Sequence, residues 1–538
     1  MAEGQEHEVV VIGAGVSGIY QIKRLVDLGV SAVVLEADED LGGTWYRNRY
    51  PGARFDSESY TYGYSFSKEL LDEWHWKERF SPQPENMRYL HYVAEKFDLR
   101  RHMRFNARVV SMAWDEQARR WHLTLESGET VTARFVISCI GVLSIPTLPR
   151  YEGIDDFEGD AFHTYWWPKE PVSLDGRRAG VIGTGATGIQ VIAEIADKVG
   201  ELSVFQRRPN WSTPLNNAPI SVAEMAAIRA RYDEIFESCA KSPGGFEHVP
   251  DRRGFWSLTH AERLAFWDEL YRQPGFAMLQ ANFVEIFSDE AANRELSEYV
   301  AGRIRERVDD PEVAEKLIPR DHGFGTQRLP LETHYFEAYN RDNVRLVDVS
   351  ETPIERITKT GIQTSAGHFD LDLIVFATGF NAITGAFDSM EIRGTEGRTL
   401  GEKWHDGPST WLGVLTHGFP NLLMVAGPQS VSGSTNFPRA IEGGVNWVTG
   451  LLEHVIERGY TRIEAQAAAE REWVQEVIRA HERILLRRSQ GWFTGYNSNV
   501  EGHEAGKVRY QAYFGTAPKY AAMLEAAAAE GYRQLDLD

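Results

Sequence analysis

Val9-Val10-Val11-Ile12 runs into Gly13-Ala14-Gly15-Val16-Ser17-Gly18, and about 170 residues later Ala179-Gly180-Val181-Ile182 runs into Gly183-Thr184-Gly185-Ala186-Thr187-Gly188. Each stretch reads as a buried strand, a tight turn and the start of a helix. The first glycine makes the turn, the second lets the backbone approach a pyrophosphate, and the third lets helix and strand pack closely. The helix N-terminus is then left to hold the anion. The repeat implies two nucleotides bound at once by an α/β chain with two Rossmann-type, three-layer dinucleotide-binding domains.

The two copies differ where the second strand of each unit ends, the position from which an acidic side chain reaches an adenosine ribose. In the first unit, Ala32-Val33-Val34-Leu35 ends in Glu36, which suits a ribose with free hydroxyls and so FAD or NAD. In the second, Leu202-Ser203-Val204-Phe205 ends in Gln206, followed by Arg207 and Arg208. An uncharged residue before two guanidinium groups suits a 2′-phosphate, because arginine binds phosphate through charge-assisted, often bidentate hydrogen bonds. NADPH is therefore expected in the second site.

Composition narrows the classes of partner. The chain has 538 residues, enough for two to four domains, and a formal net charge of −21. That charge argues against nucleic acid or an anionic membrane surface. No apolar run approaches the ~20 residues a membrane span needs. The acidic N-terminus enters the first strand at once, so no signal peptide is expected. Cys139 and Cys239 are the only cysteines and form no C-x-x-C pair, which fits a reducing, cytoplasmic setting. Redox chemistry must then come from cofactors, and the missing C-x-x-C excludes a flavin disulfide reductase.

Turn signals divide the chain. The apolar strand Phe135–Gly141 breaks into a segment containing Pro146 and Pro149, a domain crossing. The strand Leu373–Phe380 is expected to return the chain to the first unit, so the two domains interleave. The first nucleotide domain is assigned to 1–142 and 379–538, and the second to 143–219 and 323–378. Between the latter, 220–322 reads as a helical insertion with helical spacing and few turn signals. The stretch 440–488 also reads as mostly helical, and an alanine-rich helix is expected around Glu525–Glu530.

Two longer motifs identify a family. Just before the second fingerprint stands Phe157-Glu-Gly159-Asp-Ala-Phe-His163-Thr-Tyr-Trp-Trp167-Pro168, an F-x-G-x-x-x-H-x-x-x-W-P pattern. Shortly after Glu36 stands Gly42-Gly43-Thr44-Trp45-Tyr-Arg-Asn-Arg-Tyr50-Pro51-Gly52-Ala-Arg-Phe-Asp56. With these the chain resembles the type I Baeyer–Villiger monooxygenases, FAD- and NADPH-dependent flavoproteins of class B. The resemblance spans essentially the whole chain, including Phe324-Gly-Thr-Gln327-Arg328-Leu-Pro-Leu-Glu332.

The resemblance implies that NADPH reduces FAD and that O2 then adds to give a flavin C4a-peroxide. The peroxide attacks a ketone, and the tetrahedral Criegee-type adduct rearranges to an ester or lactone. A fixed cation near the flavin serves both anionic stages. Arg328 matches the family's active-site arginine, and Asp56 is expected to orient it. FAD contacts are expected from Gly13, Gly15, Gly18, Glu36, Gly43, Thr44, Trp45, Asp56 and Tyr62. NADP contacts are expected from Gly183, Thr184, Gly185, Ala186, Thr187, Gly188, Arg207, Arg208, Gln327 and Trp492. Ser434, Phe437 and Trp492 are expected to wall the substrate pocket. No metal arrangement surrounds His163, so His163 and Trp167 are assigned to domain coupling, with core packing as the alternative.

Two departures stand out. Many relatives carry a basic residue just before the active-site arginine; here it is Gln327, and Arg208 is expected to replace part of the missing charge. The stretch Gly495–Lys507 is longer than the short Asn-x-Pro-Gly-Lys turn of many relatives, within an expected mobile segment near 488–510, and is placed to reshape the pocket entrance. Small neutral ketones and O2 are the expected partners, with the native ketone and the choice of monomer or homodimer left open. An N- or S-oxygenating flavin monooxygenase, or an NADPH oxidase or redox sensor, is the alternative function. Trp167, Pro168 and Arg328 weigh against the first.

Overall fold

A computed structural model of the chain describes residues 5–430, 435–503 and 506–538. The first strand, β1 (Gln5–Ile12), lies between two parallel neighbours, β2 (Ala32–Leu35) and β3 (Thr130–Ser138). A strand so placed is covered on both faces. That is why Val9, Val10 and Val11 form an unbroken apolar run and are all fully buried. Beyond β3 the sheet continues through the antiparallel strands Arg120–Leu125 and Val109–Asp115. The late strands Glu391–Arg393 and Leu422–Met424 join the same sheet. Chain from beyond residue 390 thus completes a sheet begun at residue 5.

The second sheet is all parallel. Its centre is β4 (Arg178–Ile182), flanked by β5 (Glu201–Gln206) and β6 (Leu373–Phe376). Val344–Asp348 lies beyond β5, and Asp160–His163 lies beyond β6. This edge strand corrects the sequence reading, which treated the motif-bearing stretch as linker. Phe162 pairs with Val375, more than 200 residues away, and four residues are too few to show a two-residue period.

Each central strand feeds a helix through its glycine turn: α1 (Val16–Asp27) in the first unit and α2 (Ala186–Ile195) in the second. The long helix α3 (Phe437–Glu457) lies against α1, where Tyr20 donates to Asn446 at 2.7 Å and Gln21 to Thr449 at 3.1 Å. The stretch after α3 is not uniformly helical. A short strand, Ile463–Ala465, pairs with Leu535–Leu537 at the C-terminus before the helix Ala467–Glu482 begins.

Helices between residues 260 and 316 build onto the second sheet, whereas Val222–Arg229 and Tyr232–Lys241 bury Met225 and Tyr232 in the core of the first. Val222–Arg229 and His260–Arg272 start at capping boxes formed by Ser221 with Glu224 and Thr259 with Glu262, and Asp289 caps Glu290–Arg307. The apolar faces of the later two, including Trp267, Leu296 and Ile304, join the core that also holds Val181, Ile192 and Val204. Among the described residues no helix is long and apolar enough to cross a membrane.

Candidate active site

The two glycine turns are built alike. Gly13 and Gly183 have φ of +99° and +106°, a region that L side chains avoid, and a Cβ on either would press on a neighbouring backbone carbonyl, Cys139 or Ala377. A Cβ on Gly18 would lie 1.8 Å from the Gly13 oxygen, and one on Gly188 2.1 Å from the Gly183 oxygen. These third glycines set the helix-to-strand distance and do not face a ligand. The middle glycines behave differently. Around Gly185 nothing lies within 4 Å of a built Cβ, and Gly15 faces only the backbone of Gly43, leaving open approaches of the kind a pyrophosphate needs.

Both turns open onto one cavity of about 760 Å³ between the two domains. The first domain contributes Gly13, Gly15, Glu36, Gly43, Thr44, Asp56 and Tyr62; the second contributes Gly183, Thr184, Gly185, Ala186, Thr187, Arg207, Arg208, Gln327 and Arg328. Phe437 and Trp492 also line it. Glu36 is buried, and its carboxylate accepts from the backbone N–H groups of Ala14 at 2.6 Å and Asp38 at 2.9 Å; burial pushes its carboxyl above the usual range. The double glycine cradle with an acid at the first site, and an acid-free, arginine-bearing second site, fit an FAD and an NADP nucleotide respectively.

At the centre Arg328 meets Asp56. Its Nη2 donates to both carboxylate oxygens at 2.9 and 2.8 Å, and Nη1 donates to the Leu329 carbonyl at 2.6 Å. The guanidinium carbon lies 4.8 Å from the Phe276 ring centroid, and Phe276 packs on Phe246, both in the cavity wall. One edge of the cation is thus fixed by a carboxylate and one face by an aromatic ring.

Other expected residues lie elsewhere. Trp45 does not line the cavity; its indole N–H donates to the Tyr62 hydroxyl at 2.8 Å, and Tyr62, stacked on Phe55, is the one that reaches the wall. Gln206 is buried and donates to the Lys316 carbonyl at 2.7 Å, so it faces the helical segment. Ser434 lies outside the described residues.

His163 and Trp167 are buried away from the cavity, Trp167 against Phe162. His163 Nε2 lies 3.2 Å from the Gly379 carbonyl, and its Nδ1 accepts from the Tyr165 N–H at 3.1 Å. That arrangement requires a neutral ring. The crossing that follows β6 is held from several sides. Thr147 N–H also donates to the Gly379 carbonyl, Thr147 Oγ1 to that of Thr378, Asn499 to that of Thr378 and Asn497 to that of Phe380. The asparagines belong to the longer stretch of the sequence, whose departure from a short turn was the only signal that could have drawn attention to them.

Burial pushes the His163 imidazole down to about 4. The unfolded chain then binds the proton more readily than the native one. Stability contributed by the neutral ring is complete above pH 6.5 and is lost as pH falls towards 4, by roughly 2 kcal/mol at pH 5. The difference in unfolding free energy between the parent and His163→Gln is expected to shrink over that window; a constant difference would contradict a buried neutral imidazole.

A family model described as flavin-binding monooxygenase-like matches residues 6–216. The chain is 43% identical to the 2-oxo-Δ3-4,5,5-trimethylcyclopentenylacetyl-CoA monooxygenase of Pseudomonas putida, covering 98% of each chain. It is 41% identical to the methyl acetate-forming acetone monooxygenase of Gordonia sp. (strain TY-5), again covering 98% of each. The crystal structure of OTEMO in complex with FAD and NADP superposes with a TM-score of 0.96 at 42% identity, covering 100% of both chains. The chain belongs to the flavin-binding monooxygenases. Within them it is a member of the Baeyer–Villiger monooxygenases.

Proposed function

We propose that this enzyme inserts one oxygen atom beside the carbonyl of a small ketone, using FAD in the first nucleotide site and NADPH in the second. The balance is ketone, O2, NADPH and a proton giving ester or lactone, water and NADP+. The Asp56-clamped Arg328 guanidinium, set in the wall of a cavity shared by both glycine turns, carries the reading. Bound FAD, once reduced by NADPH, supplies the activated oxygen.

The chain's own residues do the rest. Gly13, Gly15, Gly43 and Thr44 cradle the flavin nucleotide, with Glu36 at its ribose; Gly183–Thr187 and Arg207 receive the coenzyme. Asp56 and the Leu329 carbonyl hold one side of Arg328, which leaves its other N–H groups to stabilise negative charge on the oxygen of the attacked carbonyl. A preorganised donor of this kind costs no reorganisation when charge develops. Phe246, Phe276, Phe437 and Trp492 offer an apolar wall that limits water near the reacting carbonyl. Apolar walls discriminate between ketones by only about 1–3 kcal/mol per methylene, so a broad substrate range is expected.

Product mass spectrometry tests the reading, with purified yellow enzyme, NADPH, air and a panel of linear, cyclic and aryl ketones plus one sulfide. Products one oxygen heavier than their ketones are expected. Sulfoxide alone, or NADPH consumption yielding only hydrogen peroxide, would overturn the ketone assignment.

Arg208 is proposed to supply part of the charge that Gln327 lacks. Its guanidinium lies 3.4 Å from Asp321, with its carbon 5.4 Å from the Tyr496 ring, and Gln327 donates to the Gln490 carbonyl at 3.1 Å. Arg208→Ala is expected to lower the NADPH-to-NADH ratio of kcat/KM about 10-fold. An unchanged ratio rules out the compensation.

A further inference from the structure

The segment 490–503 lies across the second nucleotide site, pinned by Asn497 to the Phe380 carbonyl at 2.8 Å and by Asn499 to the Thr378 carbonyl at 3.4 Å. Between these anchors, Ser498 Oγ accepts from Arg207 Nη1 at 2.5 Å. A hydroxyl that accepts from a guanidinium has its own proton left to donate. Among the described residues no acceptor takes that proton, and no carboxylate pairs with Arg207. Arg208 beside it does have a carboxylate neighbour, Asp321.

The corner made by Arg207 and Ser498 therefore offers only donors: a cation without a counterion and a hydroxyl proton without an acceptor. Both line the cavity into which the Gly185 turn opens. A tetrahedral phosphate, with several acceptor oxygens and negative charge, is the chemical group this corner fits.

We propose that Ser498 is a specificity-determining residue: its hydroxyl joins Arg207 as a donor to the coenzyme's 2′-phosphate, so the phosphate bridges the nucleotide domain and the segment 490–503. This rests on the NADPH reading of the second site. It adds that recognition of the phosphate is shared with a part of the chain that the first sheet's domain supplies, and that the segment is held down more firmly by NADPH than by NADH.

The test uses FAD-loaded enzyme and two fragments, 2′,5′-ADP and 5′-AMP, which differ only in the 2′-phosphate, with affinities read by calorimetry. The parent is expected to prefer 2′,5′-ADP. Ser498→Ala should weaken 2′,5′-ADP about 10-fold and leave 5′-AMP unchanged, while Ser498→Thr, which keeps the hydroxyl, should restore the preference. In parallel, 2′,5′-ADP should slow tryptic cleavage after Arg488 and Lys507 in the parent but much less in Ser498→Ala. If Ser498→Ala keeps the parent's preference, or loses both ligands equally, the proposal is overturned while the NADPH reading stands. If the parent itself does not distinguish the fragments, the NADPH reading falls and takes the proposal with it.

Discussion

Arg328→Ala is expected to reduce ester formation by about 10²–10³-fold, the usual cost of deleting a preorganised donor to developing negative charge. The variant should still purify yellow, since Arg328 is not part of the glycine cradle proposed to hold the flavin nucleotide. NADPH should still be consumed, with hydrogen peroxide accumulating in place of ester. Asp56→Ala probes the other half of the pair. It removes the two bonds from Nη2 at 2.9 and 2.8 Å but leaves the cation, so an intermediate loss is expected, in kcat more than in ketone KM. Ester production by Arg328→Ala within a few-fold of the parent would remove the arginine from the chemistry. Lysine at 328 should rescue only part of the rate, because an ammonium cannot make the same planar contacts with Asp56.

Gly188→Ala and Gly18→Ala should separate the two cofactors. Each added methyl would sit about 2 Å from a backbone oxygen, Gly183 in one turn and Gly13 in the other, and neither oxygen belongs to a side chain that can rotate away. The turn must move, and with it the N–H groups proposed to receive the pyrophosphate. Forced overpacking of this kind costs about 1–3 kcal/mol or more. For Gly188→Ala, NADPH KM is expected to rise roughly 10- to 100-fold with flavin content intact; Gly18→Ala should give protein depleted in flavin. Absorbance in the flavin band together with NADPH titration distinguishes them. If either variant loses both cofactors equally, the assignment of one nucleotide to each turn does not hold.

Both glycine turns were legible in the sequence because their three glycines fall within six positions, although the carbonyls that crowd Gly13 and Gly183, those of Cys139 and Ala377, lie far along the chain. Arg328 and Asp56 stand 272 residues apart, and only the motifs in which they sit nominated them as partners. Where a side chain's neighbour lies far along the chain and no motif names it, the sequence reading went astray. Trp45 was expected at the flavin, yet its N–H is taken by Tyr62. Gln206, read only as the uncharged residue that replaces an acid, has a partner no local pattern names, the Lys316 carbonyl on a helix of the insertion. Asp160–His163 is a strand only because β6 supplies its partner. The contacts of Asn497, Ser498 and Asn499 reach 117, 291 and 121 residues back and leave no periodic trace.

Three consecutive carbonyls, from Thr378 to Phe380, receive hydrogen bonds from residues 147, 163, 497 and 499. At about 1 kcal/mol net for each bond, shifting that tripeptide breaks contacts worth roughly 5 kcal/mol in one event. A displacement of one contributor alone strains the peptide units the others depend on. The tripeptide therefore behaves as a shared latch, and the enzyme's working motions should be all-or-none, with the covering segment and the histidine-bearing stretch releasing in a single concerted transition instead of drifting apart by degrees.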